Sequence, residues 1–218
     1  MRCGRSSCAT SRVPARRRRR PVVLGLTGSI GMGKSTAAGM LRRLGAPVHD
    51  ADAAVHWLLA QGGGAVPEIA AAFPDVVEND AVDRKKLGQR VFDDPLALRR
   101  LEAILHPKVR REAHRFIQRQ RRRGSPLVVL DIPLLYETRG DRLCDVVAVV
   151  SAPRFVQEAR VLRRPGMTRA RLERIRAQQL PDAEKRRRAD FVVETGLGRL
   201  RTLRTLARIV KMLRKRLS

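Results

Sequence analysis

Short apolar runs separated by longer amphipathic stretches set the pattern of this chain. The first run, Val22-Val23-Leu24-Gly25-Leu26, stops at Thr27-Gly28 as a buried parallel strand stops before a turn. Similar runs at 46–49, 127–130 and 146–150, and a weaker one at 191–193, bring the predicted strands to five. Helical spacing fills the intervals: Ala37, Met40, Leu41 and Leu44 follow the first strand, and Phe155, Ala159 and Leu162 follow the fourth. Strands alternating with helices predict an α/β fold, a five-stranded parallel sheet with helices on both faces.

Between the second and third strands the interval is too long for one crossover, which predicts an insertion. Segments 83–92, 95–105 and 107–122 read as helices, the last with Val109, Ala113, Phe116 and Ile117 on one face. A second, strongly basic insertion follows Arg163, where Pro165-Gly166 breaks one helix and Thr168 caps another from Arg169. The closing segment 197–217 sets Leu203, Leu206, Ile209, Val210 and Leu213 against a face of Arg and Lys. That is the pattern of a helix packed on the sheet, and no membrane surface is needed to explain it.

Composition sharpens this picture at the ends. The 218 residues are 43% apolar, enough for the core of one domain. A net charge of +26 would call for a polynucleotide, but residues 1–20 and 199–218 each contribute eight basic side chains and no acid, leaving +10 for the body. One Trp, one Tyr and five Phe do not interleave with the basic runs as a base-stacking surface would, so no specific nucleic acid is expected. An anionic small molecule suffices. Residues 1–20, rich in Arg and Ser, read as a disordered tail. Three cysteines without paired spacing exclude a disulfide framework, and no apolar stretch has the length of a membrane span or a signal peptide core. The expectation is a soluble, cytoplasmic protein; the oligomeric state is not legible.

Directly after the first strand stands Gly28-Ser29-Ile30-Gly31-Met32-Gly33-Lys34-Ser35-Thr36, which fits the phosphate-binding pattern G-x-x-x-x-G-K-[ST] at every position. Glycines let backbone N–H groups turn around phosphate oxygens, a helix beginning near Lys34 adds the positive end of its dipole, and Lys34 can reach the β and γ phosphates. Ser35 is placed to bind Mg²⁺ accompanying the triphosphate. The second strand ends at His49-Asp50-Ala51-Asp52, where carboxyl ends of parallel strands face the ligand crevice. One of these acids can take a proton from an alcohol attacking the γ phosphate; alternatively, Asp52 merely caps the following helix. Asp131, closing the third strand, has the position of the acid that holds the Mg²⁺ shell. Glu137 reads as a solvated helix residue or a site residue, and His106 before Pro107 as structural or functional.

Together these runs resemble the dephospho-CoA kinase family. The likeness rests on the phosphate-binding run, on Val48 to Asp52, on Leu101-Glu102-Ala103-Ile104-Leu105-His106-Pro107, on Asp131 to Glu137, on Gln178-Gln179, and on Glu184-Lys185-Arg186-Arg187-Arg188-Ala189-Asp190-Phe191. The resemblance implies a P-loop kinase core (21–57, 124–154 and 189–218), a helical acceptor-binding insertion (about 58–123) and a basic lid (about 155–188) within one domain, 21–218. It further implies ATP and dephospho-CoA as substrates, with phosphorylation of the ribose 3′-hydroxyl. ATP would be bound by Gly31, Met32, Gly33, Lys34, Ser35 and Thr36, and Mg²⁺ by Ser35 and Asp131. Asp52 would be the base, His106, Pro133 and Leu135 would form the acceptor pocket, and Arg163 or Arg164, with Arg164 preferred, would join Lys34 as the phosphate clamp. The family commonly ends its last strand in Asp-Asn before a Gly, whereas this chain has Glu194-Thr195-Gly196. Two rivals remain: a small P-loop kinase acting on a nucleoside, nucleotide or small alcohol, and a P-loop ATPase that binds nucleic acid through its basic ends.

Overall fold

A computed structural model describes residues 20–92 and 94–215; the tail expected over 1–20 lies, but for Arg20, outside the described residues. Five strands form one parallel sheet in the order β2-β5-β1-β6-β7: β1 (Val22–Thr27), β2 (Val48–Asp50), β5 (Leu127–Asp131), β6 (Val146–Ser151) and β7 (Phe191–Glu194). The second strand starts later than its apolar run, because Pro47 has no N–H to give the ladder; its carbonyl still accepts from Val129 N at 2.8 Å.

Alternation along β1 explains why both faces are covered. Leu24 and Leu26 face α1 (Lys34–Arg43) and the closing helix α9 (Arg199–Lys215), where Ala37, Leu41, Leu206, Ile209 and Leu213 complete the larger core. Val23 faces the other way, onto Ala113 and Ile117. The closing amphipathic helix thus packs on the sheet, and no described helix is long and apolar enough to cross a membrane.

The interval between β2 and β5 holds α2 (Ala51–Leu59), α3 (Val66–Ala72), a two-stranded hairpin of β3 (Val77–Glu78) and β4 (Ala81–Val82), α4 (Arg84–Phe92) and α5 (Pro95–Arg122). It has its own core, in which Leu58, Ile69, Phe73, Val76, Leu87 and Leu101 are buried. The hairpin turns at Asn79 and Asp80, with φ of 50° and 59°, a left-handed pair that Asn and Asp tolerate better than other side chains.

Here the structure corrects the expected break at Pro107: the two helices expected at 95–105 and 107–122 are one helix of 28 residues. Proline removes one hydrogen bond without forbidding helical φ, and packing overrides that loss. The half before Pro107 buries Ala97 and Leu101 in the insertion core, and the half after it buries Ala113 and Ile117 against the sheet. After β6 come α6 (Arg154–Leu162), α7 (Arg169–Ala177) and α8 (Asp182–Arg188), with Thr168 capping α7 through Arg171 N as its sequence predicts.

Candidate active site

The loop between β1 and α1 is shaped by two glycines. A Cβ at Gly28 would lie 2.4 Å from Val150 Cγ2 and 2.7 Å from Val150 O, so no larger residue fits. Gly33, the residue before α1, has φ 86° in the left-handed region; no side chain caps the helix and its first turn carries no acid. The N–H groups there stay open to an anion.

Side chains from outside hold the loop's carbonyls. Gln157 Nε2 donates to Ile30 O at 2.8 Å, Arg160 to Gly31 O at 3.4 Å, and Thr195 Oγ1 to Met32 O at 2.6 Å. Across a planar trans peptide the carbonyl of one residue and the N–H of the next point in opposite directions, so tying these carbonyls outward turns the following N–H groups inward. Met32 N–H closes a turn on Ser29 O at 3.1 Å, while those of Gly31 and Gly33 have no partner among the described residues.

A cleft of about 680 Å³ opens over this loop. Lys34, Arg160, Arg164 and Arg199 line it, with Asp52 as its one acid, so its charge suits a polyphosphate. Lys34 Nζ pairs with Asp131 Oδ1 at 2.7 Å. Burial pushes the Asp131 carboxyl up, with Asp50 and Asp52 adding to that rise, while the Lys34 ammonium opposes it.

Beside the cleft lies an apolar hollow of about 270 Å³, walled by Val55, Leu101, Leu105, Val109, Ile132 and Leu134 together with His49 and His106. Asp52 and Pro133 belong to both walls. The two acids after β2 divide their work in the reverse of the capping alternative: Asp50 is the cap, its Oδ1 accepting from Asp52 N at 3.0 Å and Ala53 N at 3.1 Å. An Asx cap needs the residue just outside the helix, and α2 starts at Ala51, so Asp52 stands in the first turn with an exposed carboxylate.

The family model for dephospho-CoA kinase matches residues 22–198. This chain belongs to the dephospho-CoA kinase family. A dephospho-CoA kinase of Paramagnetospirillum magneticum is 65% identical over 164 residues, covering 75% of this chain and 77% of that one. One of Rhodospirillum rubrum is 56% identical over 194 residues, 88% of this chain and 92% of that one. Among solved structures, a Thermus thermophilus protein superposes with a TM-score of 0.78 at 36% identity, covering 89% of this chain and 98% of that one.

Of the residues the family resemblance singles out, Gly31, Gly33, Lys34, Ser35, Thr36, Asp52, Pro133 and Arg164 meet at the cleft, and His106 at the hollow. Three sit elsewhere. The Met32 side chain is buried in the main core, where its sulfur accepts from Ala152 N at 3.1 Å, so only its backbone can face a nucleotide. Leu135 is wholly buried against Val147 and Val149; its neighbour Leu134 faces the hollow, because consecutive residues leaving β5 turn to opposite sides. Asp131 is 3% exposed and lies off the cleft wall, paired with Lys34. Arg164 reaches the cleft and Arg163 does not.

The structure adds residues to which sequence reasoning gave no role. Thr195 Oγ1 also accepts from Arg160 at 3.0 Å, and Thr195 O accepts from the same guanidinium at 2.7 Å, so the Glu194-Thr195 departure from Asp-Asn serves as a brace for the loop. Only the position of Thr195, straight after a predicted strand end, hinted at this.

Leu135→Ala is expected to cost about 2–5 kcal/mol of unfolding free energy, as a cavity in a closed core does. Leu134→Ala, at a residue 38% exposed, should cost less than about 1 kcal/mol. Denaturant titration of both variants distinguishes the two positions; equal losses would place Leu134 in the core as well.

Proposed function

We propose that this chain transfers the γ-phosphoryl group of ATP to the 3′-hydroxyl of the ribose of dephospho-coenzyme A, giving ADP and coenzyme A, the final step of coenzyme A synthesis. Membership of the family supports the substrates. The observation that carries the mechanism is the position of Asp52, an uncommitted carboxylate on the wall shared by the cationic cleft and the apolar hollow.

The chemistry follows from that placement. ATP phosphates enter over Gly31, Gly33, Lys34, Ser35 and Thr36, where inward N–H groups and the start of α1 supply fixed positive potential. Lys34 exchanges its Asp131 partner for phosphate oxygens, and Arg164, whose side chain has no protein partner among the described residues, completes the clamp. His106 and Pro133 lie on the acceptor side, with Leu134 in the place expected of Leu135. The acceptor hydroxyl gives its proton to an Asp52 oxygen as its own oxygen bonds to the γ-phosphorus, and the bond from that phosphorus to the ADP oxygen breaks.

Among the described residues, no group of three His, Cys, Asp or Glu could hold a metal ion alone. The Ser35 hydroxyl and the Asp131 carboxylate, hard oxygen donors, would hold Mg²⁺ accompanying ATP, and the ion would supply neutralisation of phosphate charge. We assign residues 58–123 to acceptor binding and 155–188 to the lid. A cytoplasmic setting agrees with the one described cysteine, Cys144, being a free thiol that burial pushes up to about 12 and so keeps unreactive.

The reading is tested by incubating the full chain with ATP and Mg²⁺ and a panel of acceptors: dephospho-CoA, nucleosides, nucleoside monophosphates and small alcohols. Phosphorylation of dephospho-CoA far above the others is expected. Comparable kcat/KM on another acceptor, or ATP hydrolysis that needs only nucleic acid, would replace it with one of the rivals.

Asp52→Asn keeps the shape and removes the base, so single-turnover transfer should fall by about 10²- to 10⁴-fold while ATP and acceptor still bind. Transfer at the normal rate in that variant, and its loss in Asp50→Asn, would exchange the two roles. Arg164→Ala should lower the transfer rate by about tenfold or more, and Arg163→Ala should leave it within about twofold, since only Arg164 reaches the cleft.

A further inference from the structure

Lys185 is the largest wholly buried side chain of the described chain, although it lies on a seven-residue helix whose last turn is Lys185, Arg186, Arg187 and Arg188. Its neighbours Arg187 and Arg188 turn outward to Glu184, at 2.6 and 2.7 Å. Lys185 Nζ instead lies 2.8 Å from Glu137 Oε1, as an ion pair without a well-aligned hydrogen bond, and Glu137 Oε2 has no partner among the described residues. Withdrawing the Lys185 ammonium from water costs on the order of several kcal/mol, and apolar residues of the same volume commonly serve stability as well. Stability alone is therefore a weak reason for the pair.

Glu137 Oε1 supplies the answer, because it also accepts from Leu180 N at 2.8 Å. The residue before Leu180 is Gln179, whose Oε1 accepts from Ile30 N in the phosphate-binding loop at 3.1 Å. Ile30 O is taken by Gln157 on α6, and Arg176 at the end of α7 holds Gln157 Oε1 at 3.2 Å through Nε. Both polar groups of Ile30 are thus gripped, one by Gln157 near the start of the 155–188 segment and one by Gln179 between α7 and α8. Burial alone would raise the Glu137 carboxyl, but the Lys185 ammonium and the Leu180 N–H outweigh it and hold the carboxyl below its usual range, so it stays an ionised acceptor. On the far side of the same short helix, Ser151 Oγ donates to Asp182 Oδ2 at 2.7 Å, which fixes α8 to the end of β6.

We propose that Glu137 and Lys185 are positioning residues for phosphoryl transfer: by anchoring Leu180 they set Gln179 on Ile30 and hold the phosphate-binding loop in its ATP-ready form. Glu137 does not touch the cleft and acts only through this chain of bonds. The inference rests on the kinase reading above for its kinetic readout, though not for its structural one.

The test combines three variants of the full chain. Gln179→Ala breaks the last link; Gln179 is half-buried and itself lines the cleft, so the exchange measurement below, made without ATP, separates the bond to Ile30 from direct contact with a nucleotide. Glu137→Leu with Lys185→Met removes both charges together, which avoids an unpaired buried ion, and removes the acceptor for Leu180. Glu137→Gln with Lys185→Met removes the charges but keeps that acceptor. We expect Gln179→Ala and the Leu/Met variant each to raise the KM for ATP or lower single-turnover transfer by about five- to tenfold, the net worth of one hydrogen bond. The KM for the acceptor should stay within about twofold, and combining the two should cost no more than the worse one alone, since they break one chain. The Gln/Met variant should recover most of the ATP effect.

Amide hydrogen exchange over residues 28–33, measured without ATP, should quicken in Gln179→Ala and in the Leu/Met variant and return in the Gln/Met variant. That readout does not depend on which acceptor the enzyme uses, so an inactive wild type would count against the kinase reading alone. Unchanged ATP kinetics and exchange in Gln179→Ala overturn the proposal, as does multiplication of the two effects in the combined variant. Should the Leu/Met variant fail to fold, Gln179→Ala and the Gln/Met variant decide: a Gln/Met variant as impaired toward ATP as Gln179→Ala overturns it.

Discussion

A loop that binds phosphate with its own N–H groups cannot use those groups to hold itself together. That constraint organises the rest of this structure. Were the N–H groups of Gly31 and Gly33 paired internally, the loop would be stable and useless; left open, they need the backbone fixed by other atoms. The carbonyls of Ile30, Gly31 and Met32 carry that burden, each bonded to a side chain from a different residue of α6 or from the end of β7. The loop's geometry is therefore a property of the sheet and of α6 together, and the glycines only permit it.

The same division between structure and chemistry recurs at the strand ends. Asp50 and Asp52 differ by two positions, yet one, at the end of β2, spends its carboxylate on two backbone N–H groups while the other, in the first turn of α2, is left exposed on the wall of the cleft. Thr195 and Arg160 show the complementary case. Arg160 lines the cleft as Arg164 does, but its guanidinium is committed to Gly31 and Thr195, so it braces the loop from the side a nucleotide would approach.

What the chain discloses in advance follows from how local each signal is. The three central strands β1, β5 and β6 are the most legible because each is a short apolar run with both faces buried, while the edge strands β2 and β7 are only partly buried and give a weaker signal; the phosphate-binding loop is legible because its pattern and its strand-turn-helix context are contiguous in sequence. The continuity of α5 through Pro107 is not, since it depends on two separate cores gripping the two halves of the helix. Leu134 and Leu135 are indistinguishable as letters, and only the turn after Pro133 decides which of them faces the hollow. Lys185 is the extreme case: within a run of four basic residues nothing local marks the one that turns inward, and its partner is 48 residues away in the numbering of the pair Glu137 and Lys185. The small hairpin lies between these extremes: Asn79-Asp80 is a turn signal, but its flanking strands are two residues each, too short to show alternation.

The two residues that belong to both cleft and hollow are also the clearest expression of the sheet. In the parallel pairing of β2 with β5, Asp50 stands opposite Asp131. Two residues past each strand end come Asp52, in the first turn of α2, and Pro133, in the turn after β5, which form the shared wall. Pro133 O is in turn held by Thr27 Oγ1 at 2.9 Å, from the end of the adjacent β1. The wall shared by cleft and hollow is thus built just past the ends of two paired strands, with Asp52 on the first turn of α2 and Pro133 tied to the end of β1. Asp50 caps α2 from the end of β2, so the register of β2 on β5 passes directly to Asp52, whereas the phosphate-binding loop takes its register from β1 and from the side chains of Gln157, Arg160 and Gln179; in-line transfer demands that both be held at once.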